Sequence, residues 1–223
     1  EASDFTFTIS GGAASLSSAT PTSISSSGNV YTLGIGISGT PTGAETLTVN
    51  PVDNGIYDAL GNESITNQSN NSANLKDKAP PTISGVSLAS DNSAIYLTMS
   101  EAVFNTNSGS GSLESSDFSF SISGGTATLS SSTPTSISKN SNVYTLGLSI
   151  SGTPDGAETL VVNPVDDGIF DVVGNESTTN QSNNSAKLND KVAPGISTAS
   201  IDASNNYIDI TLSEGIYSDI NSS

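Results

Sequence analysis

The chain has no cysteine, so no disulfide braces the fold and no thiolate can hold a metal or attack a substrate. Histidine, arginine and tryptophan are absent too, and its five cations are all lysine. Acid–base catalysis most often recruits histidine, and phosphate recognition leans on the planar fork of arginine. Five lysines against 22 acidic residues leave a net charge of −17, which repels nucleic acid and anionic lipid. No apolar run approaches the roughly 20 residues needed to span a bilayer, and no signal peptide is visible. The sequence opens in the middle of a repeat, so a missing leader says nothing of the parent protein. Apolar residues make up 33 % of the chain, with Ser, Thr, Asn and Gly filling the gap. Low hydrophobicity combined with high charge is the usual signature of disorder.

The arrangement of the apolar residues argues against disorder. Tyr144, Leu146, Leu148 and Ile150 alternate with smaller or polar residues, as do Phe118, Phe120 and Ile122, and Ile95, Leu97 and Met99. Period-two alternation marks a half-buried strand. Over 79–191 it predicts about seven strands, near 82–89, 94–100, 117–122, 126–130, 142–151, 157–163 and 184–189. Turn residues separate them: Ser90-Asp91-Asn92, Gly124-Gly125, Lys139-Asn140-Ser141 and Thr153-Pro154-Asp155-Gly156. No stretch shows helical spacing, so the expected fold is all-β, an antiparallel β-sandwich. Its expected core is Phe118, Phe120, Tyr144, Leu146, Leu148, Leu160, Val162, Ile169 and Phe170.

A shift of 113 residues lays the chain on itself without a gap, and 58 of the first 80 residues are identical to their partners. Ser3-Asp4-Phe5 returns as Ser116-Asp117-Phe118, and Gly61-Asn62-Glu63-Ser64 as Gly174-Asn175-Glu176-Ser177. A period this long is a whole domain, since solenoid units run about 20–50 residues. The boundaries fall at Asp77-Lys78-Ala79-Pro80-Pro81 and Asp190-Lys191-Val192-Ala193-Pro194, where proline blocks mid-sheet pairing. The reading is a partial repeat over 1–78, a complete domain over 79–191 and a second partial repeat over 192–223.

Three features together resemble the bacterial Ig-like domains of S-layer proteins and giant surface adhesins. They are the start Ala-Pro-Pro-Thr-Ile-Ser (79–84), the strand ending Leu97-Thr98-Met99-Ser100-Glu101-Ala102-Val103, and Ile169-Phe170-Asp171-Val172-Val173-Gly174-Asn175. Ala102 stands where that family usually has proline, and Met99 where it has phenylalanine. The resemblance implies tandem Ig-like sandwich modules exported to the cell surface, with no catalytic residues to carry over. A cysteine-free, acidic, Ser/Thr/Asn-rich β-protein suits the same extracellular setting.

The acidic residues offer a candidate calcium site at Glu101, Asp167, Asp171 and Asn175. Calcium takes six to eight oxygens from carboxylates, carbonyls and Asn side chains, and a loop that places Asp167, Asp171 and Asn175 within ten residues, joined by Glu101 at a strand end, could supply them. The competing reading has Asp171 and Asn175 closing their own turn, with Gly174 at positive φ. Asp77 and Asp190 sit in the linkers, where an ion could stiffen a junction or the charges could simply be solvated. Paired carboxylates also suit glycosidases, but no aromatic platform for a sugar accompanies them. Asn-X-Ser triplets at Asn62, Asn67, Asn70, Asn175, Asn180 and Asn183 match a glycosylation pattern that an Asn/Ser-rich chain produces by chance.

These features point to a non-catalytic structural segment of a long extracellular adhesin or surface fibre. The alternatives are a repeated module binding a glycan or cell-surface ligand, and an accessory domain of a secreted hydrolase. The expected partners are neighbouring copies of the same repeat, head-to-tail, with no nucleic acid and no membrane insertion. A sandwich short of strands is expected to be disordered or to aggregate unless Phe5, Phe7, Tyr31, Leu33 and Leu47 at one end and Ile208, Ile210 and Leu212 at the other are covered. Ordered ends with bare apolar faces, or 1–78 packed on 192–223, would count against a head-to-tail fibre.

Overall fold

The computed structural model describes residues 1–217. Every described strand pairing is antiparallel. Among the described residues helix is confined to two short 3-10 turns, Ala2–Asp4 and Ser115–Asp117, and no helix there is long and apolar enough to cross a membrane. The expected domain 192–223 is described only to residue 217.

Before the first Pro-rich segment the strands are β1 (Phe5–Ser10), β2 (Ser15–Leu16), β3 (Ile24–Ser27), β4 (Val30–Leu33), β5 (Ile37–Ser38), β6 (Thr46–Pro51) and β7 (Ser72–Asn74). Between the two Pro-containing segments lie β8 (Ile83–Leu88), β9 (Ala94–Met99), β10 (Phe118–Ser123), β11 (Thr128–Leu129), β12 (Ile137–Asn140), β13 (Val143–Gly147), β14 (Ile150–Ser151), β15 (Thr159–Pro164) and β16 (Ser185–Lys187). A last hairpin follows, β17 (Ile196–Ile201) and β18 (Ile208–Leu212).

In the central segment, one sheet runs β12-β13-β9-β8, another β10-β15-β16, and β11 pairs with β14. A single hydrophobic cluster draws Ile83, Ile95, Leu97, Met99, Tyr144 and Leu146 from the first sheet and Phe118, Phe120, Leu160 and Val162 from the second. Alternation explains the division: in β9 Ile95, Leu97 and Met99 are buried, whereas Tyr96 and Thr98 face out. Burying each such side chain contributes roughly 1.5–3 kcal/mol.

Two expectations need correcting. Lys139-Asn140-Ser141 is not the turn; β12 runs through Asn140, and the reversal is at Ser141, whose φ is +57°. The strand foreseen over 142–151 is broken in two, because Gly147 turns to bond Thr135 and Ser136 while Leu148 N–H donates to Ser93. The chain there leaves the four-stranded sheet for the β11-β14 pair, which leaves Leu148 only half-buried.

The first segment repeats these ladders in part. Phe5 pairs with Pro51 and Ile9 with Leu47, and at the same offset Phe118 pairs with Pro164 and Ile122 with Leu160. Here β3-β4 stands as a two-stranded piece, where its counterpart β12-β13 continues into β9 and β8. Among the described residues the terminal hairpins keep their strand pairing with apolar side chains in the open, the outcome expected to count against a head-to-tail fibre. Phe7 is buried and Leu212 half-buried, but Tyr31, Ile208 and Ile210 are 57 %, 62 % and 53 % exposed. Local antiparallel bonds within each hairpin maintain strand geometry without a covering sheet.

Candidate functional site

The acidic residues gather where the first Pro-rich segment meets the central segment. Lys78 N–H donates to the Pro41 carbonyl at 2.9 Å, and the Asp77 carboxylate accepts the Ala79 N–H at 2.9 Å, which fixes the segment leading into β8. At the far end of β9, the Ser100 hydroxyl accepts the Thr82 N–H and its own N–H donates to the Thr82 carbonyl. Glu101 follows directly. Phe104 and Phe170 exchange two backbone hydrogen bonds of 2.8 Å, which brings the turn starting at Asp171 against the stretch just beyond Glu101. Asp77, Glu101 and Asp171 thereby place carboxylate oxygens within 4.8 Å of one another.

Their environments differ. Asp171 is fully buried and saturated by its own turn: one oxygen accepts the N–H groups of Val173 and Asn175, and the other accepts the Asn175 side-chain amide at 2.7 Å. Gly174 completes that turn at a φ of +90°, a conformation glycine adopts without a steric penalty. Glu101 is pushed above the ordinary carboxylate range, first by desolvation and then by the charges of Asp171 and Asp77.

Of the four expected metal-binding residues, Glu101 and Asp171 come together, joined by Asp77 from the linker. Asp167 is not in the group; its backbone sits at φ +58° and its N–H donates to Glu176 at 2.7 Å. Asn175 turns its amide nitrogen to Asp171 and so acts as a donor within the turn. The turn-closing reading of Asp171 and Asn175 is the one the hydrogen bonds display. What remains is three close carboxylates whose repulsion can be relieved by a proton or by a cation. No histidine or cysteine exists to add nucleophilic or acid–base chemistry.

The second linker repeats the stitching: Lys191 donates to Pro154, Val192 to Asp190, and Gly195 to the Ser213 hydroxyl, beside Glu214. The turn of the first segment repeats it as well, Asp58 accepting from Leu60, Asn62 and the Asn62 amide. Asp58 is exposed, and its carboxyl lies below the ordinary range because of the Asn62 side chain above all.

Sequence reasoning passed over Glu45 and Glu158, both fully buried. Glu158 accepts N–H groups from Thr126, Ala127 and Asp155, and Glu45 from Ala13, Ala14 and Thr42. Gly125, at φ +57°, leaves the space that the Glu158 side chain fills; a Cβ there would collide with it. The available signal was the Gly-Gly pair recurring with Gly-Ala-Glu-Thr-Leu in both halves (43–47 and 156–160). The Asn-rich stretch is likewise more than a solvated loop. Gln181 accepts the Ile83 N–H, and the Asn184 amide donates to the Val162 carbonyl and Asn163 side chain.

Comparisons of the chain with protein-family models, with curated proteins and with solved structures find no match.

Proposed function

We propose that this chain is a stretch of a tandem array of Ig-like β-sandwich modules from a long extracellular adhesin or surface fibre, where it supplies length and spacing and carries out no catalysis. The observation that carries the reading is recurrence at an offset of 113 residues. Strand registers, linker hydrogen bonds and the Asp-X-X-Gly-Asn turn all return at that spacing. Modules tied by the same short linker bonds give a regular chain of units, and such arrays serve reach better than chemistry. A cysteine-free acidic surface fits an exported setting, with no membrane insertion and no nucleic acid partner.

A glycan-binding module would present exposed aromatic rings on one face. The central segment exposes Tyr96 among its aromatics, at 41 %. Small-angle scattering on monomeric protein tests the array reading. A compact globule of this length has a radius of gyration of about 17 Å. The array reading expects a distinctly larger radius and an elongated distance distribution, and a value near that of the globule overturns it.

A further inference from the structure

We propose that Asn54 is a site of spontaneous covalent modification, where the Gly55 backbone nitrogen displaces the side-chain amide and water leaves aspartate or isoaspartate. This goes beyond the array reading and does not rest on it, because the chemistry needs one turn and water.

Two demands of the fold create the site. The turn after β6 holds residue 54 at a φ of +58°, a left-handed conformation in which asparagine and aspartate are enriched. The following residue is held to glycine by packing. A Cβ at Gly55 would stand 3.0 Å from the Val52 carbonyl oxygen and 3.2 Å from the Asp4 Cα. The central segment meets the same demands with Asp167, also at φ +58°, and Gly168. The first segment meets them with an amide, and Asn54-Gly55 is the one Asn-Gly pair in the chain. Without a side chain of its own, glycine lets its nitrogen approach the neighbouring Cγ closely.

The surroundings prepare the amide for that attack. The Asp53 carboxylate accepts from the Asn54 side-chain nitrogen at 3.0 Å, and because a carboxylate can only accept, the amide orientation is fixed. The Tyr57 hydroxyl donates to the amide oxygen at 3.1 Å. Attack at Cγ puts negative charge on that oxygen, and a donor already aimed there stabilises it. Tyr57 is placed as its counterpart is, bridging Glu63 as Phe170 bridges Glu176, and residues 54 and 167 are both exposed. In the central segment the amide and the hydroxyl are both missing, since Asp167 and Phe170 stand in their places.

The Gly55 N–H first gives up its 3.0 Å bond to the Val52 carbonyl, which water replaces on this exposed turn. Its nitrogen loses the proton to water and bonds Cγ. The bond from Cγ to Nδ2 then breaks, and ammonia leaves with a proton taken from water. Hydrolysis of the cyclic imide at Cγ leaves aspartate at position 54. Hydrolysis at the main-chain carbonyl leaves isoaspartate, with Cβ added to the backbone path. The turn accommodates the first product: Asp167 keeps the same φ, and its N–H donates to Glu176 as that of Asn54 does to Glu63.

The test is incubation of the folded 223-residue chain in neutral buffer, with peptide mapping by mass spectrometry over time. Position 54 is expected to convert well ahead of Asn107 and Asn140, which are exposed but precede serine. Labelling by a protein isoaspartate methyltransferase should mark the same peptide. Tyr57→Phe keeps the fold, given Phe170 at the matching position, and should slow conversion severalfold in the folded chain while leaving the rate in urea unchanged. That contrast separates what the turn contributes from what any Asn-Gly pair does. Position 54 staying intact in the folded chain over a time in which it converts in urea overturns the site, as does earlier conversion at Asn107 or Asn140. A folded Tyr57→Phe chain that converts as fast as wild type overturns the part assigned to the hydroxyl.

Discussion

The rings of Phe118 and Tyr144 lie 6.2 Å apart at an interplanar angle of 50°, and through this pair β10 of one sheet touches β13 of the other. Phe5 and Tyr31 repeat the contact at 6.4 Å and 45° in the first segment. The difference lies in what covers the tyrosine. Tyr144 pairs with Leu97 on the neighbouring strand and is buried, whereas Tyr31 has open space on that side.

Burial leaves the Tyr144 hydroxyl with no hydrogen-bond partner. A buried unsatisfied polar group costs about 1–3 kcal/mol, while the ring supplies the packing. Tyr144→Phe is therefore expected to raise the unfolding free energy by roughly 1 kcal/mol. Tyr144→Ala should lower it by about 3–5 kcal/mol, as removal of a large buried aromatic does. Urea unfolding of both variants checks the pair of signs, and a Phe variant markedly less stable than wild type would show that the hydroxyl is satisfied in solution.

Glu45 and Glu158 make the acid limb of stability. Donation from the Ala14 N–H, with those of Thr42 and Ala13, holds the Glu45 carboxyl down from 4.5 to about 2. For Glu158 burial pushes upward, but donation from Ala127, Thr126 and Asp155 outweighs it and leaves the carboxyl below its ordinary value. A depressed folded-state pKa means that the native state binds fewer protons than the unfolded chain. The Glu45 contribution is then complete above pH 4.5 and is lost as the pH falls toward 2. Glu45→Gln and Glu158→Gln should each be less stable than wild type at pH 7, with the gap narrowing through that acid window. Thermal midpoints taken across the range give the answer; a gap that stays constant with pH assigns the loss to packing.

Glu101 carries the opposite sign. Desolvation, with Asp171 and Asp77 nearby, raises its carboxyl above 4.5. Its favourable contribution is complete below pH 4.5 and disappears as the pH rises through the raised value, because the native state there binds the extra proton. Glu101→Gln removes a charge from a crowded site, so its melting midpoint at pH 7 should exceed that of wild type and the difference should vanish in acid. Melts with calcium and with EDTA separate relief by a proton from relief by an ion. Equal wild-type midpoints are expected from the proton, and a calcium-dependent rise that Glu101→Gln abolishes would assign the three carboxylates to a cation.

How far the sequence could be read depended on whether a residue's surroundings are local. Phe118, Phe120, Leu160 and Val162 lie in alternating runs, and alternation alone identifies them as core. Val103 and Leu113 are just as buried but sit outside such runs, where no period marks them. The Asp171 turn was legible because its partners are two to four residues away. Asp77 meets Glu101 and Asp171 only through the tertiary fold, so a linker carboxylate looked like a solvated charge. Glu158 hides for a related reason: its donors, Thr126 and Ala127, are more than 30 positions distant.

Asn92 gives the most local test of how the central segment is fastened to the following linker. It is buried at φ +62°, in the turn between β8 and β9, and it grips Asn189 at both ends. Its side-chain oxygen accepts the Asn189 N–H at 2.9 Å, and its amide donates to the Asn189 carbonyl at 2.8 Å. The Asn189 side-chain amide also donates to the Asn92 side-chain oxygen at 2.9 Å. Asn92→Gly tolerates the left-handed backbone, so its cost isolates these three bonds, about 3–4.5 kcal/mol at roughly 1–1.5 kcal/mol each. Asn92→Ala adds the strain of a left-handed alanine, about 1–2 kcal/mol more. Hydrogen exchange should then quicken first at Asn189, whose N–H loses its acceptor in both variants. Uniform loss of protection across β8, β9 and β16, with no early change at Asn189, would show that the clamp does not act locally.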